Sequence, residues 1–298
     1  MHRFDGRVAV VTGAGRGIGR AYALLLAERG ATVVVNDLGG TMEGTGADEG
    51  PAAEVVGEIT AAGGSALADG NDVASAGGAQ AVVDGALRHF GRIDVLINNA
   101  GIIRWAGFPE ADEDNLNRHL AVHTLGSFNT ARAAWPHMVD QRYGRIVMTT
   151  SSGVFGLPNN ISYATAKAAV IGLTRSLAVG GAAHGIKANL IAPAAMTRMA
   201  GGGGGSAEMA PELVAPMAAY LAHEQCPVTG EIYAAGAGRF ARIFIAQTPG
   251  YVHPGAGVTV EDVAEHWAAI NDEAGSWVPA DLMGWSAAFT AHLRPGGA

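Results

Sequence analysis

Short, continuous apolar runs alternate with longer segments of helical composition along this chain. Arg7-Val-Ala-Val-Val-Thr12 and Ala31-Thr-Val-Val-Val-Asn36 are the clearest runs. Their β-branched residues and the lack of polar alternation predict strands buried on both faces of a parallel sheet. Further strands are predicted at Ser65–Ala68, from Ile93 toward Gly101, at Gly144–Ser152, at Gly185–Ile191 and at Gly230–Ala235. Between them lie helix patterns. One runs from Arg20 to Arg29 and is ended by Gly30. Another is opened by Pro51, runs to Ala62 and is stopped by Gly63-Gly64. Gly78–Phe90, the long segment Asp112–Val139, Ser162–Ala178 and Glu208–His223 complete the set. Strand and helix in regular alternation imply an α/β fold with a parallel sheet.

Composition narrows the class. The chain has 298 residues, 49% hydrophobic and 15% charged, which marks a well-buried globular protein rather than a disordered one. The net charge of −8 argues against a nucleic-acid partner. The single cysteine, Cys226, excludes an internal disulfide. No apolar run is long enough to span a bilayer, so no membrane partner is expected. The first residues lead straight into a strand, so no signal peptide is expected either and the cytoplasm is the default location. The chain is read as one domain, 1–298, with a core to residue 240 and a C-terminal extension over 241–298. That extension carries Trp267, Trp277 and Trp285 in amphipathic helical pieces and is expected to pack on the body or on a neighbouring subunit.

The candidate chemistry clusters after the strands. Gly13-Ala-Gly-Arg-Gly-Ile-Gly19 sits between the first strand and the first helix. Glycines there permit a tight turn and let backbone N–H groups approach a pyrophosphate at a helix N-terminus. Asp37 ends the second strand, where a carboxylate accepts hydrogen bonds from an adenosine ribose and repels a 2′-phosphate; NAD is therefore the expected cofactor. Asp72-Val73 lies where an adenine edge would be met, although Asp72 equally suits a helix cap. Asn98 and Asn99 end the fourth strand, where amides tie strands together or touch cofactor. Four hydroxyls, Thr149-Thr-Ser-Ser152, end the fifth at the mouth where ligands bind. Tyr163 and Lys167 stand one helical turn apart. An ammonium near a phenol favours the phenolate, so the Tyr163 pKa is expected to fall, suiting it to exchange a proton with an alcohol or ketone. His119 and His123 also have metal-ligand spacing, but no third ligand is nearby, so no metal is expected. The five glycines at 201–205 suggest a lid over the substrate or a plain solvent loop.

Taken together and in this order, Thr12–Gly19, Asn98-Asn-Ala-Gly101, Tyr163-x-x-x-Lys167 and Asn189-Leu-Ile-Ala-Pro193 resemble the short-chain dehydrogenase/reductase family over roughly residues 5 to 240. Within it, Val35–Gly40, Asn98–Arg104, Val122–Phe128, Ala133–Met138 and Tyr143–Met148 resemble the (3R)-hydroxyacyl-CoA dehydrogenase unit of peroxisomal multifunctional enzymes. The resemblance implies a Rossmann-type doubly wound sheet of seven parallel strands with helices on both faces, in a homodimer or homotetramer. It implies an NAD-dependent oxidoreductase that interconverts a secondary alcohol and a ketone. Tyr163 is then the acid/base, Lys167 lowers its pKa and holds the nicotinamide ribose, and a hydroxyl of the fifth strand positions the substrate oxygen. The cofactor contacts implied are Gly13, Arg16, Gly17, Ile18 and Gly19 in the loop, with Asp37, Asp72 and Val73. Asn99, Ala100, Gly101, Tyr163, Lys167, Pro193 and Met196 complete them.

Two departures from the family pattern bear on these roles. One residue is missing between the family's catalytic serine and the tyrosine. Counting from Gly144 selects Ser151, counting back from Tyr163 selects Thr150, and the stiffer strand register favours Ser151. His123 occupies the place of the family's relay asparagine, with a proton relay and simple helix packing both open. The shortened loop also sustains a reading from another class, an NAD-binding sensor or assembly protein with catalysis impaired. The small-molecule substrate implied is a 3-hydroxyacyl-CoA. Phe155, Leu157, Met196, Met199, Met209 and Met217 offer apolar surface near the mouth, while Arg104 and Arg198 are its obvious cations. With so few cations, a free steroid, terpene or xenobiotic alcohol is the alternative.

Overall fold

The computed structural model describes residues 2–200 and 206–293. The chain divides into two compact units, Met1–Arg242 and Ile243–Ala298. The strands are β1 (Val8–Thr12), β2 (Thr32–Asn36), β3 (Ser65–Asp69), β4 (Val95–Asn98), β5 (Gly144–Thr149), β6 (Ile186–Pro193), β7 (Ile232–Gly236) and β8 (Arg239–Ile243). They form one sheet in the order β3-β2-β1-β4-β5-β6-β7-β8. The pairings from β3 through β7 are all parallel. The helices of the first unit are α1 (Gly17–Glu28), α2 (Gly50–Ala61), α3 (Ala76–Phe90), α4 (Glu113–His119), α5 (Gly126–Gln141), α6 (Ile161–Gly181) and α7 (Ala215–Ala222).

Both faces of the sheet are covered. Ala9, Val11, Val33, Val35, Val95 and Ile97 share one core cluster with Leu26 of α1, Val55 of α2 and Leu221 of α7. The alternate residues Val10, Val34 and Leu96 are equally buried and point to the other face. The chain moves outward through β1, β2 and β3, then returns to place β4 on the other side of β1. This reversal opens a crevice beyond the C-terminal ends of β1 and β4, the place where such sheets bind ligands.

Three elements differ from the sequence expectation. β8 is an eighth strand, joined to β7 by Ala237 and Gly238 alone. Both carry positive φ, 50° and 71°, as a two-residue hairpin turn requires, so β8 runs antiparallel. Its turn lacks the Asn-Gly or Asp-Gly signal that advertises such a hairpin. The segment Asp112–Val139 is not one helix: a π-helical turn, Leu120–Leu125, separates α4 from α5. Glu208–His223 is helical only from Ala215, after two short 3₁₀ turns, because Pro216 starts α7 rather than lying within it. The glycine run read as a lid, 201–205, lies outside the described residues.

The second unit has its own short helices, α8 (Val260–Glu265), α9 (Trp267–Ile270) and α10 (Leu282–Phe289). Thr259 and Asp262 close a reciprocal cap on α8. Tyr251 stacks on His266 and Trp285 on Phe289.

At the N-terminal end of β4, away from the crevice, the fully buried Asp94 carboxylate accepts a bidentate pair from Arg92, at 2.8 and 2.7 Å. It also accepts from Arg7 at 3.0 Å and from the Val8 N–H at 2.9 Å. Removing one partner of a buried pair costs ~3–5 kcal/mol, and the partial exposure of both arginines reduces that. Asp94→Ala is expected to lower stability by ~2 kcal/mol in urea titration. Cofactor affinity of the folded variant should stay unchanged, because Asp94 precedes β4 while the crevice lies beyond its far end. A large loss of affinity without loss of stability would contradict this division.

Candidate active site

The crevice is shaped first by glycines. Gly13 has φ 63°, and a Cβ there would stand 2.7 Å from Ala100 Cα; a Cβ on Gly19 would stand 2.1 Å from the Gly13 carbonyl oxygen. Only glycine lets β1, the loop and β4 approach this closely. The Thr12 hydroxyl accepts the N–H groups of Asn99 and Ala100, both at 3.1 Å. In return the Asn99 amide donates to the carbonyls of Thr12 and Gly13, at 3.1 and 3.0 Å. Asn98, by contrast, is buried inward, accepting the Thr130 hydroxyl at 2.7 Å.

The N-terminus of α1 faces this crevice, and no side chain caps it. Its first N–H groups are therefore left for an external acceptor, which suits a pyrophosphate. At the end of β2, Asp37 is held in place by the N–H groups of Gly15 and Gly39, both at 2.7 Å. A cavity of about 520 Å³ opens here. Gly13, Arg16, Gly17 and Ile18 of the loop, Asp37 after β2, Asp72 and Val73 after β3, and Asn99, Ala100 and Gly101 after β4 line it. These residues fit a dinucleotide. Asp72 also caps locally, accepting the Ala74 N–H, while Ser75 is the N-cap of α3.

Some residues expected to touch the cofactor are not part of this lining. Gly19 is buried beneath the loop, and neither Pro193 nor Met196 lines the cavity. Their place on that side is taken by Thr197, Arg198 and Met199. Thr41, Met42 and Gly44 of the loop after β2, and Arg118 and Val122 near the π-turn, also line it. None of them was singled out from the sequence for this role, because loop reach and helix direction carry no local motif.

Ser151, Tyr163 and Lys167 stand apart from this cavity and form the second part of the site. Ser151 is extended, with φ −155°, and its Oγ accepts the Gly153 N–H at 3.0 Å while capping the short turn Ser152–Phe155. Gly153 brings the two reactive side chains together: a Cβ built on it lies 3.3 Å from Ser151 Oγ and 3.7 Å from Tyr163 Cε1. Thr150 is buried and its hydroxyl donates to the Lys167 carbonyl at 2.7 Å. Of the two candidate hydroxyls, then, Ser151 faces Tyr163 and Thr150 is spent on helix backbone. The one-residue shortening is absorbed in the turn, so the loop retains the Ser151–Tyr163 contact on which the impaired-sensor reading cast doubt. α6 starts from Asn160, whose buried side chain accepts the Tyr163 N–H at 3.3 Å. Lys167 donates to the Thr149 carbonyl at 2.9 Å, with Nζ 5.8 Å from the Tyr163 ring centroid.

The expected electrostatics of this pair need correction. Burial pushes the Tyr163 phenol up, opposed by its side-chain hydrogen bond with Ser151. Burial lowers Lys167 to about 7. Both charged forms lose water here, and that loss is the leading cause of each shift.

His119 and His123 are both buried against Tyr163, with ring centroids at 6.2 and 5.3 Å. Three of their four ring nitrogens meet backbone groups, and among the described residues no cluster of three or more His, Cys, Asp or Glu could hold a metal. Near the mouth Phe155 is 74% exposed, whereas Met217 packs against the core. Arg104 is paired with Asp114 at 2.8 Å.

Comparison with known proteins agrees with this geometry. The short chain dehydrogenase family model matches residues 7–202. Peroxisomal multifunctional enzyme type 2 of Drosophila melanogaster is 45% identical over 277 residues, covering 91% of this chain and 46% of that protein. The solved structure of a short chain dehydrogenase from Mycobacterium avium is 35% identical, with TM-score 0.79, covering 90% of this chain and 96% of that one. A 7α-hydroxysteroid dehydrogenase solved with NADH and a 7-oxo bile acid conjugate is 29% identical, with TM-score 0.71, covering 79% of this chain and 95% of that one. The chain thus spans about half the length of the multifunctional relative and nearly all of the mycobacterial one. The protein belongs to the short-chain dehydrogenase/reductase family. It is an oxidoreductase acting on a small molecule, and family and neighbour together point to a nicotinamide cofactor. Among the described residues no helix is long and apolar enough to cross a membrane.

Lys167 gives the site a pH signature. Its folded pKa of about 7 lies below the ordinary lysine value of ~10.4. Between those values the unfolded chain binds the additional proton, so stability rises with pH, and the penalty is fully present below about 7. Tyr163, raised above its ordinary value, acts in the opposite direction only above ~10. Measured without cofactor, the wild type should gain ~1–2 kcal/mol between about pH 7 and pH 9, and Lys167→Met should lose most of that slope. Equal slopes in urea titrations of the two proteins would show that Lys167 is an ordinary, solvated lysine.

Proposed function

We propose that this protein is an NAD-dependent dehydrogenase that interconverts a secondary alcohol and a ketone, with a 3-hydroxyacyl-CoA as its substrate. The observation that carries the reaction type is the meeting of Ser151 and Tyr163 around Gly153, with Lys167 buried one helical turn on. The nicotinamide, when bound, supplies the hydride acceptor for oxidation and the hydride donor for reduction. Tyr163 Oη takes the proton of the substrate hydroxyl in one direction and returns it in the other. Ser151 Oγ holds the substrate oxygen and favours the ionised phenol. Thr149 and Thr150 anchor the lysine and its helix, through the Thr149 carbonyl and the Thr150 hydroxyl.

NAD rather than NADP is supported by Asp37. Its carboxylate is fixed at the cavity wall and would oppose a 2′-phosphate, while Arg16, also at the wall, lies 4.0 Å from Asp48. The 3-hydroxyacyl-CoA is supported by the resemblance to the dehydrogenase unit of the multifunctional enzymes and by the exposed apolar Phe155 near the mouth. A free alcohol such as a steroid is the second reading. It is favoured by the engagement of Arg104 with Asp114, which leaves less cationic surface for CoA phosphates, and by the hydroxysteroid dehydrogenase neighbour. Self-association as a dimer or tetramer is part of the proposal, supported by the half-exposed Leu125 and Phe128. The cytoplasm remains the proposed location.

Turnover of (3R)-hydroxyacyl-CoA thioesters and of their free alcohol analogues, with NAD and with NADP, tests this reading. The thioester with NAD should give the highest kcat/KM, and Tyr163→Phe should abolish turnover. A thioester no better than simple alcohols would remove CoA from the proposal; a preference for NADP would remove Asp37 as the selector.

The two hydroxyls separate in the same assay. Ser151→Ala should lower kcat by ~10²-fold or more, on the scale of losing one polarising donor. Thr150→Ala should act mainly on stability, since its hydroxyl serves the α6 backbone. The reverse ranking would assign the substrate oxygen to Thr150.

A further inference from the structure

His119 and His123 play no part in the chemistry just described, yet both rings are fully buried beside Tyr163. They stack on each other at 5.9 Å with planes 9° apart. Each meets the tyrosine ring edge to face, at interplanar angles of 81° and 89°. That arrangement is the one aromatic rings prefer, and it fixes orientation as well as distance.

Three of the four ring nitrogens meet backbone groups. His123 Nε2 lies 2.9 Å from the Ile102 carbonyl oxygen and 3.3 Å from the Ile102 nitrogen; the shorter contact favours the tautomer in which Nε2–H donates to the carbonyl. His119 Nδ1–H donates to the Asn115 carbonyl at 2.8 Å, which leaves Nε2 to accept the Arg104 N–H at 3.3 Å. Asn115 adds a third rung, its amide donating to the Arg104 carbonyl at 3.1 Å. The segment Ile102–Arg104 has no ladder of its own and continues directly from Asn99–Gly101, which lines the cavity. One helical stretch therefore meets the cavity lip with its polar atoms and the Tyr163 ring with its two imidazoles.

We infer that His119 and His123 are positioning residues, two neutral rings that hold the Tyr163 phenol in register with the lip Ile102–Arg104 of the cofactor cavity. The inference rests on the acid/base role proposed for Tyr163. The four-residue spacing of the pair then reflects this bracket and not metal binding.

His123 is unsuited to pass protons. A relay donates one proton and accepts another in turn, but the His123 donor is committed to a backbone carbonyl, which has no proton to give or move on. Its Nδ1 is buried without a partner. That edge of the ring is pressed against Gly101, where a Cβ would stand 2.5 Å from Cε1 and 3.1 Å from Nδ1. The ring cannot turn without moving the lip. The titratable groups that face it are Lys167, His119 and Tyr163; burial and the Lys167 charge both disfavour a charged His123. His119 is held neutral in the same way, by burial first and then by Arg104 and Lys167.

Three variants of the full chain test this: His123→Phe keeps a ring and loses the donor, His123→Gln keeps a donor, and Tyr163→Phe is the control. His123→Phe should lower kcat by ~10–10²-fold, the scale of a misplaced reacting group. NADH affinity should change less than about threefold, and His123→Gln should recover much of kcat. The pH profile of kcat should keep its wild-type midpoints in both variants, since a neutral, non-relaying ring contributes none. A wild-type kcat in His123→Phe with an inactive Tyr163→Phe would overturn the inference and leave the acid/base reading standing; an active Tyr163→Phe would overturn both. Parallel loss of kcat and NADH affinity, without rescue by glutamine, would show a merely structural residue. A shifted pH midpoint restored by added imidazole would show a relay. Should His123→Phe fail to fold, ring-nitrogen NMR of the wild type decides. A neutral Nε2–H tautomer from about pH 5 to 9 is expected, and a ring that titrates in that window or carries its proton on Nδ1 overturns the proposal.

Discussion

The approach of Gly13 to Ala100 is the constraint on which the rest of this site depends. At that point the backbones of β1 and β4 come closer than any Cβ at residue 13 would allow. The contact is closed by backbone and short side chains alone, through the Thr12 hydroxyl and the Asn99 amide. Because the sheet reverses its winding between these two strands, their ends form the floor of the crevice. The second close contact, Gly19 against the Gly13 carbonyl, sets how α1 leaves the loop, and with it the direction of the uncapped N–H groups. A larger residue at either glycine would change the angle of the helix, not merely fill space.

The reacting end obeys a different balance. A phenol and an ammonium close together in water would favour each other's charge. Here both are buried, and removal from water raises the one and lowers the other. The interaction that pulls the phenol back is a hydrogen bond from a small side chain, Ser151. This makes the placement of Ser151 more telling than the mere presence of Tyr163 and Lys167 at helical spacing. Both groups are thus held toward their uncharged forms, the state in which a phenol has a proton to return to a substrate oxygen.

Much of this was legible in the sequence, for reasons that differ by residue. Continuous β-branched runs marked β1 and β2 because a parallel strand buries both faces. The glycine loop and Asp37 were legible because their chemistry depends on strand-end position, which short-range sequence records. The doubly wound sheet with helices on both faces followed once the family resemblance was clear. What sequence could not supply came from contacts distant along the chain. The π-turn at Leu120–Leu125 leaves no composition signal, although it sets which faces His119 and His123 present. The choice between Ser151 and Thr150 turned on a loop of altered length, and counting from either end gave a different residue. The β8 hairpin turns on Ala237 at positive φ, a conformation its identity does not announce. The sign of the Tyr163 shift was misjudged because spacing reports proximity and says nothing about burial.

The two ends of the site are thus held by unlike means, and this bears on how they can vary. The dinucleotide end is built from backbone N–H groups, glycines and one pinned carboxylate, so its shape tolerates few residues at few positions. The reacting end is built from side chains on β5, α6 and the π-turn, and each brings its own supporting hydrogen bonds. The loop after β5, with the exposed Phe155, lies outside the lining of the dinucleotide cavity, whereas the loop after β6 contributes Thr197, Arg198 and Met199 to it. The segment Asn99–Arg104 belongs to both ends, because it lines the dinucleotide cavity at one end and meets the tyrosine bracket at the other. With the π-turn stretch, whose Arg118 and Val122 also line the cavity, these six consecutive residues join the two halves of the site along the chain rather than across the sheet.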